Sequence, residues 1–424
     1  MRVLLVSANT EPINMPIIPL GLGCVAEAVR HAGHEVELLD LMCVSDTCSV
    51  IKNSIKRFSP DVIGISVRNI DDQRIESPGF LLDQVRDVIA DCRSFSDARI
   101  VIGGAGYSIF PKSALSYLAA DIGIQGEGEM AFPSLLALME KGADIKGIPG
   151  LYLPGRVVQD KRKFAKKLDS LPLPDANLWS PSAARDPELW MPVQSRRGCP
   201  MNCSYCSTAA VEGRIIRKRS PALVVASIAG HAKAGFERFY FTDNTFNIPL
   251  SYAKEICREL IARKLGIYWR CIFYPGKTDK ALVEAMAIAG CREVALGFES
   301  GSIQTLRSMN KKFSPEDVRR TSDMLAQRDI RRMGFLLLGG PGETKESVEE
   351  SLAFADSLQL EAVKVTIGIR IYPETDLART ALSEGVITQN DDLLFPRFYI
   401  VKELEDWLRE TVKKYMAERP NWIG

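Results

Sequence analysis

Histidine is nearly missing from this chain: His31, His34 and His231 are the only three in 424 residues. None falls near the cysteine-rich stretch 199–206, so a zinc site there would lack the fourth ligand that zinc normally wants close by. A dominant charge is missing too. With a net charge of +1 and 25% charged residues, nothing points to nucleic acid or to an anionic membrane surface. Long apolar runs are absent, and no stretch reaches the ~20 residues of a membrane span. The opening MRVLLVSAN is too short in apolar residues for a secretory signal and passes into a polar loop, which fits a cytoplasmic protein. Paired cysteine spacing is lacking as well. Outside the 199–206 stretch, Cys24, Cys43, Cys48, Cys92, Cys257, Cys271 and Cys291 are scattered and read as free buried thiols, not a disulfide framework. No GxGxxG and no P-loop lysine string follows any predicted strand, which argues against a nucleotide-binding sheet.

What is present is an alternation of short apolar runs with amphipathic stretches. Strands are predicted at 2–6, 36–41, 62–67, 99–103 and 122–124, with helices at 20–32, 50–58, 81–92 and 128–141. The run Val62-Ile63-Gly64-Ile65-Ser66-Val67 is the kind buried inside a parallel sheet. This order predicts a doubly wound α/β domain over 1–141. Such sheets bind ligands at the carboxyl ends of their strands. There the chain places Pro19-Leu20-Gly21-Leu22 after a long loop (9–19), then Ser66-Val67-Arg68-Asn69, Gly103-Gly104 and Gly126-Glu127-Gly128-Glu129. Paired glycine clusters at strand ends suggest backbone packed directly against a large flat ligand.

Residues 142–191 are proline-rich and read as an ordered crossing segment, with a short hairpin around Gly155 and a solvated basic run at 161–167. From 192 the alternation restarts, with strands at 193–196, 238–242, 268–273, 293–297, 332–338 and 362–369 separated by helices. Six strand–helix units over 192–380 predict a partial (β/α)6 barrel, whose functional groups belong at the carboxyl ends of its strands. Arg270 and Tyr274 are expected on its inner wall, facing substrate. The remainder, 381–424, reads as a short helical tail with an amphipathic helix at 402–416 that lids the barrel or packs on it.

One string outweighs the rest: Arg197-Gly198-Cys199-Pro200-Met201-Asn202-Cys203-Ser204-Tyr205-Cys206. Thiolates are the soft ligands that iron–sulfur clusters require. A C-x3-C-x2-C spacing can bind three irons of a [4Fe–4S] cube and leave the fourth open to a small ligand. The string, including the aromatic Tyr205 before the last cysteine, resembles the motif of the radical S-adenosylmethionine (SAM) enzymes. The resemblance implies that Cys199, Cys203 and Cys206 hold the cluster and that the open iron chelates SAM. The glycine clusters beside the PxGL loop resemble the cobalamin-binding domain found ahead of many radical SAM domains. The whole layout is similar to the anaerobic Mg-protoporphyrin monomethyl ester cyclase group. One departure is informative: the D-x-H-x-x-G loop, whose histidine ligates cobalt, is absent after the first strand. The resemblance then implies cobalamin bound base-off with no histidine ligand, its lower face meeting Arg68 or Asn69.

Further motifs follow in family order. Phe-x-Asp-Asn ends the second barrel strand; a carboxylate complements an ammonium group, so Asp243, with Asn244 beside it, is expected against the ammonium of SAM. Glu299 and Ser300 resemble the GxESG segment near the ribose or methionine moiety. Leu338 and Gly340 lie in a G-x-P-G-E-T-like turn whose glycines let backbone approach SAM, with Glu343 either part of that site or a cap of the next helix. Ile371 and Tyr372 are expected to offer backbone to the adenine. Taken with the resemblance, the expected chemistry is reductive cleavage of SAM to a 5′-deoxyadenosyl radical and methylation of an unactivated carbon of a small-molecule or lipid-like substrate through methylcobalamin. A low-potential donor such as ferredoxin or flavodoxin is the implied partner. Ring formation or rearrangement with the same cofactors is the rival. A non-catalytic corrinoid or iron–sulfur carrier would not need the SAM-type loops, and a tRNA methylthiotransferase should show a second cysteine triad.

Overall fold

The computed structural model describes residues 1–11, 16–156 and 161–424. Positions 12–15 of the 9–19 loop, and 157–160 beyond Gly155, lie outside the described residues.

The first sheet contains β1 (Arg2–Ser7), β2 (Glu35–Asp40), β3 (Val62–Ser66), β4 (Arg99–Gly103), β5 (Ile122–Ile124) and β6 (Leu151–Tyr152), in the order β2-β1-β3-β4-β5-β6. All pairs are parallel except the last. In β1, Val3 and Leu5 face one side and Leu4 and Val6 the other, because successive strand side chains alternate; all four are fully enclosed. That burial needs helices on both faces. Leu20–His31 and Gly128–Glu140 cover one, Thr47–Phe58 and Leu82–Phe95 the other. Beyond residue 141, β6 adds an antiparallel edge to this sheet.

The second sheet takes β7 (Met191–Val193), then β10 (Arg238–Phe241), β11 (Tyr268–Phe273), β12 (Cys291–Glu299), β13 (Arg331–Leu338) and β14 (Ala362–Ile367), all parallel and in chain order. Helices Pro221–Lys233, Leu250–Arg263, Lys280–Ile288, Pro315–Ala326 and Lys345–Ser357 fill the connections. Strand alternation explains the register: in β11, Trp269, Cys271 and Phe273 enter the core, while Arg270 and Ile272 keep partial exposure. The expected strand at 193–196 is displaced. Arg196–Arg197 (β8) leaves the barrel and pairs antiparallel with Arg217–Lys218 (β9).

The tail packs on the barrel. Its helix, Glu405–Ala417, sends Leu408 and Val412 into the barrel core, and Trp422–Ile423 (β17) adds a parallel strand to β14. Ile369–Arg370 (β15) and Phe398–Tyr399 (β16) form a small antiparallel pair. In the basic run at 161–167 the lysines are exposed, as a solvated face requires, while Ala165 between them is buried with Leu168 and Leu171 and its amide donates to Glu127 at 2.6 Å.

One apolar core crosses between the two sheets. Ile369, Ile371, Leu377 and Tyr399 belong to the same cluster as Leu4, Val6, Ile65 and Tyr107. Within it Arg370 Nε meets Asp71 Oδ2 at 2.8 Å, both side chains 2% exposed, and the guanidinium also donates to the carbonyls of Ile371 and Leu393. Among the described residues, no helix is long and apolar enough to cross a membrane.

Candidate active site

The cysteine loop springs from β8, and its shape is fixed before any metal is considered. Gly198 sits at φ +92°, with a hypothetical Cβ only 2.1 Å from the Ile215 carbonyl, so only glycine fits. Its amide donates to Glu212 Oε2 at 3.0 Å, and the Cys199 amide to the Gly213 carbonyl at 3.1 Å. Deeper in the loop, the Ser204 amide donates to Met309 O and the Ser204 carbonyl accepts from the Leu377 amide at 2.8 Å. Cys199, Cys203 and Cys206 are all half-buried. Burial pushes the Cys203 thiol up to about 11, opposed by the charge of Lys311, and raises Cys199 as well. Among the described residues no three His, Cys, Asp or Glu side chains converge as ligands of a single ion would. Three thiolates on three separate irons of a cube need no such convergence, and the soft donor set on a rigid loop fits that group.

Asp243 departs from the expectation. It is 1% exposed, and its two oxygens accept from the Ser195 amide (2.9 Å), the Ser195 hydroxyl (2.5 Å) and the Arg196 amide (3.1 Å). Burial raises its pKa, while Arg196 and these donors pull it back. Asp243 therefore clamps the root of the cysteine loop, its two oxygens engaged by Ser195 and Arg196. Asn244 donates to Glu212 Oε2 at 2.8 Å, steadying the helix Thr208–Glu212 that closes the loop.

Glu299 ends β12 at φ +65°, a conformation that costs a non-glycine residue of order 1–3 kcal/mol. Its Oε1 accepts from the Tyr205 hydroxyl at 3.0 Å and from Lys311 Nζ at 3.1 Å. Lys311 is 9% exposed and lies over the Tyr205 ring at 5.4 Å. Burial alone would lower its pKa, but Glu299, Tyr205 and Cys203 raise it well above the ordinary lysine value, so the ammonium stays charged. The sequence reading missed Lys311, because a Lys311-Lys312 pair after a short helix looks like a solvated face.

Other SAM candidates are engaged elsewhere. Ser300 is fully buried, its hydroxyl 2.7 Å from that of Ser351 on a barrel helix, so it does not face the site. Leu338 is fully buried and offers backbone only, its carbonyl accepting from the Gly368 amide. A Cβ on Gly340 would lie 3.1 Å from Ile369 Cδ1. Glu343 neither caps a helix nor reaches out: Oε2 accepts from the amides of Gly339 and Gly340 at 2.5 and 2.9 Å. The Ile371 amide and carbonyl are both taken, by the Arg397 carbonyl and the Arg370 guanidinium, so neither is open to adenine. Tyr372 packs against Phe110 and Arg370 in the shared core. Tyr274 is buried, its hydroxyl accepting from the Lys312 amide, and Arg270 stacks on Trp190 at 4.3 Å beside Glu293. Neither is a free substrate contact.

A cavity of about 1060 Å³ lies where the first sheet meets the barrel. Pro19, Leu20, Gly21 and Leu22 line one side, and Ser66, Arg68 and Asn69 another. Gly103, Gly104, Gly126, Glu127, Gly128 and Glu129 complete the sheet side; Pro192, Tyr240, Thr242 and Glu212 close it from the barrel. Gly21 has nothing within 4 Å of its Cβ direction, so it leaves space that a side chain would fill. Val67 is the exception. It is fully buried beneath the cavity, and its carbonyl accepts from the Gly106 amide at 3.0 Å. None of the histidines lines the cavity; His231 accepts from Trp179 Nε1, and His34 sits beside the N-terminal amine. The glycine-lined wall and the volume fit a bulky planar cofactor.

Glu127 and Glu129 have a second role that the sequence did not disclose. Glu129 meets Arg197 Nη2 at 2.5 Å; Glu127 meets Arg197 Nη1 at 3.2 Å and Arg217 Nη1 at 2.5 Å. All four side chains are under 10% exposed, so the first domain grips both strands of the hairpin that carries the cysteine loop.

With this geometry in place, residues 7–136 match the B12 binding domain and residues 193–355 match the Radical SAM superfamily. The chain belongs to the radical SAM proteins that carry a B12 binding domain ahead of the barrel. It is 26% identical to an uncharacterized methyltransferase of Pyrococcus horikoshii, PH0819, over 99% of this chain and 91% of that one. It is 23% identical to the tryptophan 2-C-methyltransferase of Streptomyces laurentii, over 88% of this chain and 73% of that one. The solved radical SAM methyltransferase TsrM of Kitasatospora setae, with tryptophan and a SAM analogue bound, has the same fold: TM-score 0.87 at 23% identity, covering 98% of this chain and 88% of that one.

Proposed function

We propose that this protein is a cobalamin-dependent radical SAM enzyme that methylates an unactivated carbon of a small-molecule substrate. The observation that carries the reading is the single cavity bounded by the glycine-lined strand ends on one side and, on the other, by Arg197 and Glu212 at the base of the cysteine loop. When bound, the cluster would supply the electron that splits a carbon–sulfur bond of SAM, and cobalamin the methyl group. The chain's own part is to hold and orient. Cys199, Cys203 and Cys206 ligate the iron, and Asp243 and Glu212 fix the loop they stand on. Tyr205 and Glu299, joined by a hydrogen bond on the loop's barrel side, would contact SAM. Gly21 would leave room for a corrin, and Arg68 or Asn69, which line the same cavity, would stand where a cobalt-ligating histidine is lacking. Arg68 suits that place, since it lines the cavity. The reductant would be a low-potential carrier in the cytoplasm.

The test is anaerobic turnover with methyl-labelled SAM and candidate substrates. Label in the product together with 5′-deoxyadenosine supports methylation. 5′-Deoxyadenosine with an unlabelled, cyclised or rearranged product refutes it.

A further inference from the structure

Lys311 is a buried cation beside a metal-binding loop, a position that the methylation reading does not use. Its Nζ lies 3.1 Å from Glu299 Oε1 and 5.4 Å from the centre of the Tyr205 ring, and Tyr205 stands in the chain between Cys203 and Cys206. It has little freedom to leave. The neighbouring Met309 carbonyl accepts from the Ser204 amide, and Asn310 Nδ2 donates to the Asn202 carbonyl at 2.6 Å, so the 309–311 segment is stitched to the cysteine loop. Its anionic partner, Glu299, is tethered on the same side by the Tyr205 hydroxyl. Fixed charges in such a dry site act strongly on any nearby change of charge.

We propose that Lys311 sets how readily the cluster on Cys199, Cys203 and Cys206 accepts an electron, and that Glu299 opposes it. The inference rests on the cluster reading above. In the step concerned, one electron leaves a reduced low-potential carrier, such as a flavodoxin hydroquinone that becomes the semiquinone, and the cluster passes from its 2+ to its 1+ state. No bond is made or broken in the protein. The added negative charge is stabilised by the Lys311 ammonium and destabilised by the Glu299 carboxylate. Lys311 is thus a positioning residue for charge, acting through the cluster and not on substrate.

The experiment is a redox titration followed by EPR on anaerobically reconstituted full-length protein, without SAM or substrate. Lys311→Met should move the midpoint to a more negative value, lowering the reduced-to-oxidised ratio at fixed potential by roughly tenfold, about 59 mV for one electron. Lys311→Arg should restore the wild-type midpoint, and Glu299→Gln should move it the opposite way. A structural role alone would not give shifts of opposite sign. A Lys311→Met protein with an intact cluster and an unmoved midpoint overturns the inference. If Lys311→Met loses its cluster, Glu299→Gln decides: an unmoved or more negative midpoint there overturns it equally. Absence of any cluster in the wild type would instead refute the functional reading.

Discussion

Arg197 Nη2 lies 2.5 Å from Glu129 Oε1, two residues ahead of the first cluster cysteine, and both side chains are buried. Glu129 opens a helix of the first domain, so the cofactor-side sheet holds the root of the cysteine loop through an ion pair. Among the described residues, removing Glu129 leaves the buried Arg197 with only the longer contact to Glu127 at 3.2 Å, while removing Arg197 leaves Glu129 buried without an ion-pair partner. Breaking a buried pair in this way costs up to about 3–5 kcal/mol.

Glu129→Ala should therefore lower the thermal midpoint sharply and reduce iron incorporation. A paired Glu129→Leu, Arg197→Met variant should recover much of the stability, because two well-packed apolar groups replace a buried pair at little cost. Calorimetry and iron analysis on the three proteins check this. A single variant as stable as wild type would show that the pair is not a latch.

Asp243→Ala leaves two buried amides and a hydroxyl without an acceptor, at about 1–3 kcal/mol each. Iron and sulfide content after reconstitution should fall, while corrinoid binding in the same preparation stays near wild type. Full cluster content in Asp243→Ala would overturn the clamp.

Gly21→Leu should abolish most corrinoid binding without harming the fold. Gly21 lies in the first turn of a helix and points into open cavity, so leucine improves helix propensity while filling ligand space. Equilibrium titration with hydroxocobalamin should show affinity reduced by at least about tenfold, roughly 1.4 kcal/mol. In wild type the bound spectrum should be base-off and unchanged by His31→Ala or His34→Ala.

Burial raises the Glu343 carboxyl to about 7, and its Oε1 has no partner. A raised carboxyl pKa means that the folded state binds the proton more tightly than the unfolded chain does. Its contribution is present below the ordinary carboxylate pKa of ~4.5 and is lost as pH climbs to about 7. Glu343→Gln should flatten that decline, so its thermal midpoint gains on wild type between pH 5 and about 8. Parallel melting curves across that window would refute the assignment.

The strands, the barrel and the cysteine loop were legible because their signals are local: β-branched runs, alternation, and three thiols within eight residues. What resisted reading were choices of direction. Phe-x-Asp-Asn marks a polar strand end, but only the fold reveals that Asp243 turns towards Ser195 and away from the cavity. Ser300 and Ile371 sit in recognisable motifs, yet their hydrogen bonds are spent on Ser351 and on Arg370 and Arg397. Lys311 had no sequence mark of burial. Trp422–Ile423 is too short a strand to carry a periodic pattern, and it forms only because β14 offers a free edge.

The apolar core that runs from Leu4 and Val6 into Ile369, Ile371 and Tyr399 makes the two halves one rigid chassis. A chain cut after the first sheet would expose that wall to water, so the corrin-binding half is no detachable cartridge. Nor can it swing between two partners, as domains on a flexible tether do. Any alternation between loading a methyl group and delivering it must then be done by the small molecules, moving within a fixed chamber.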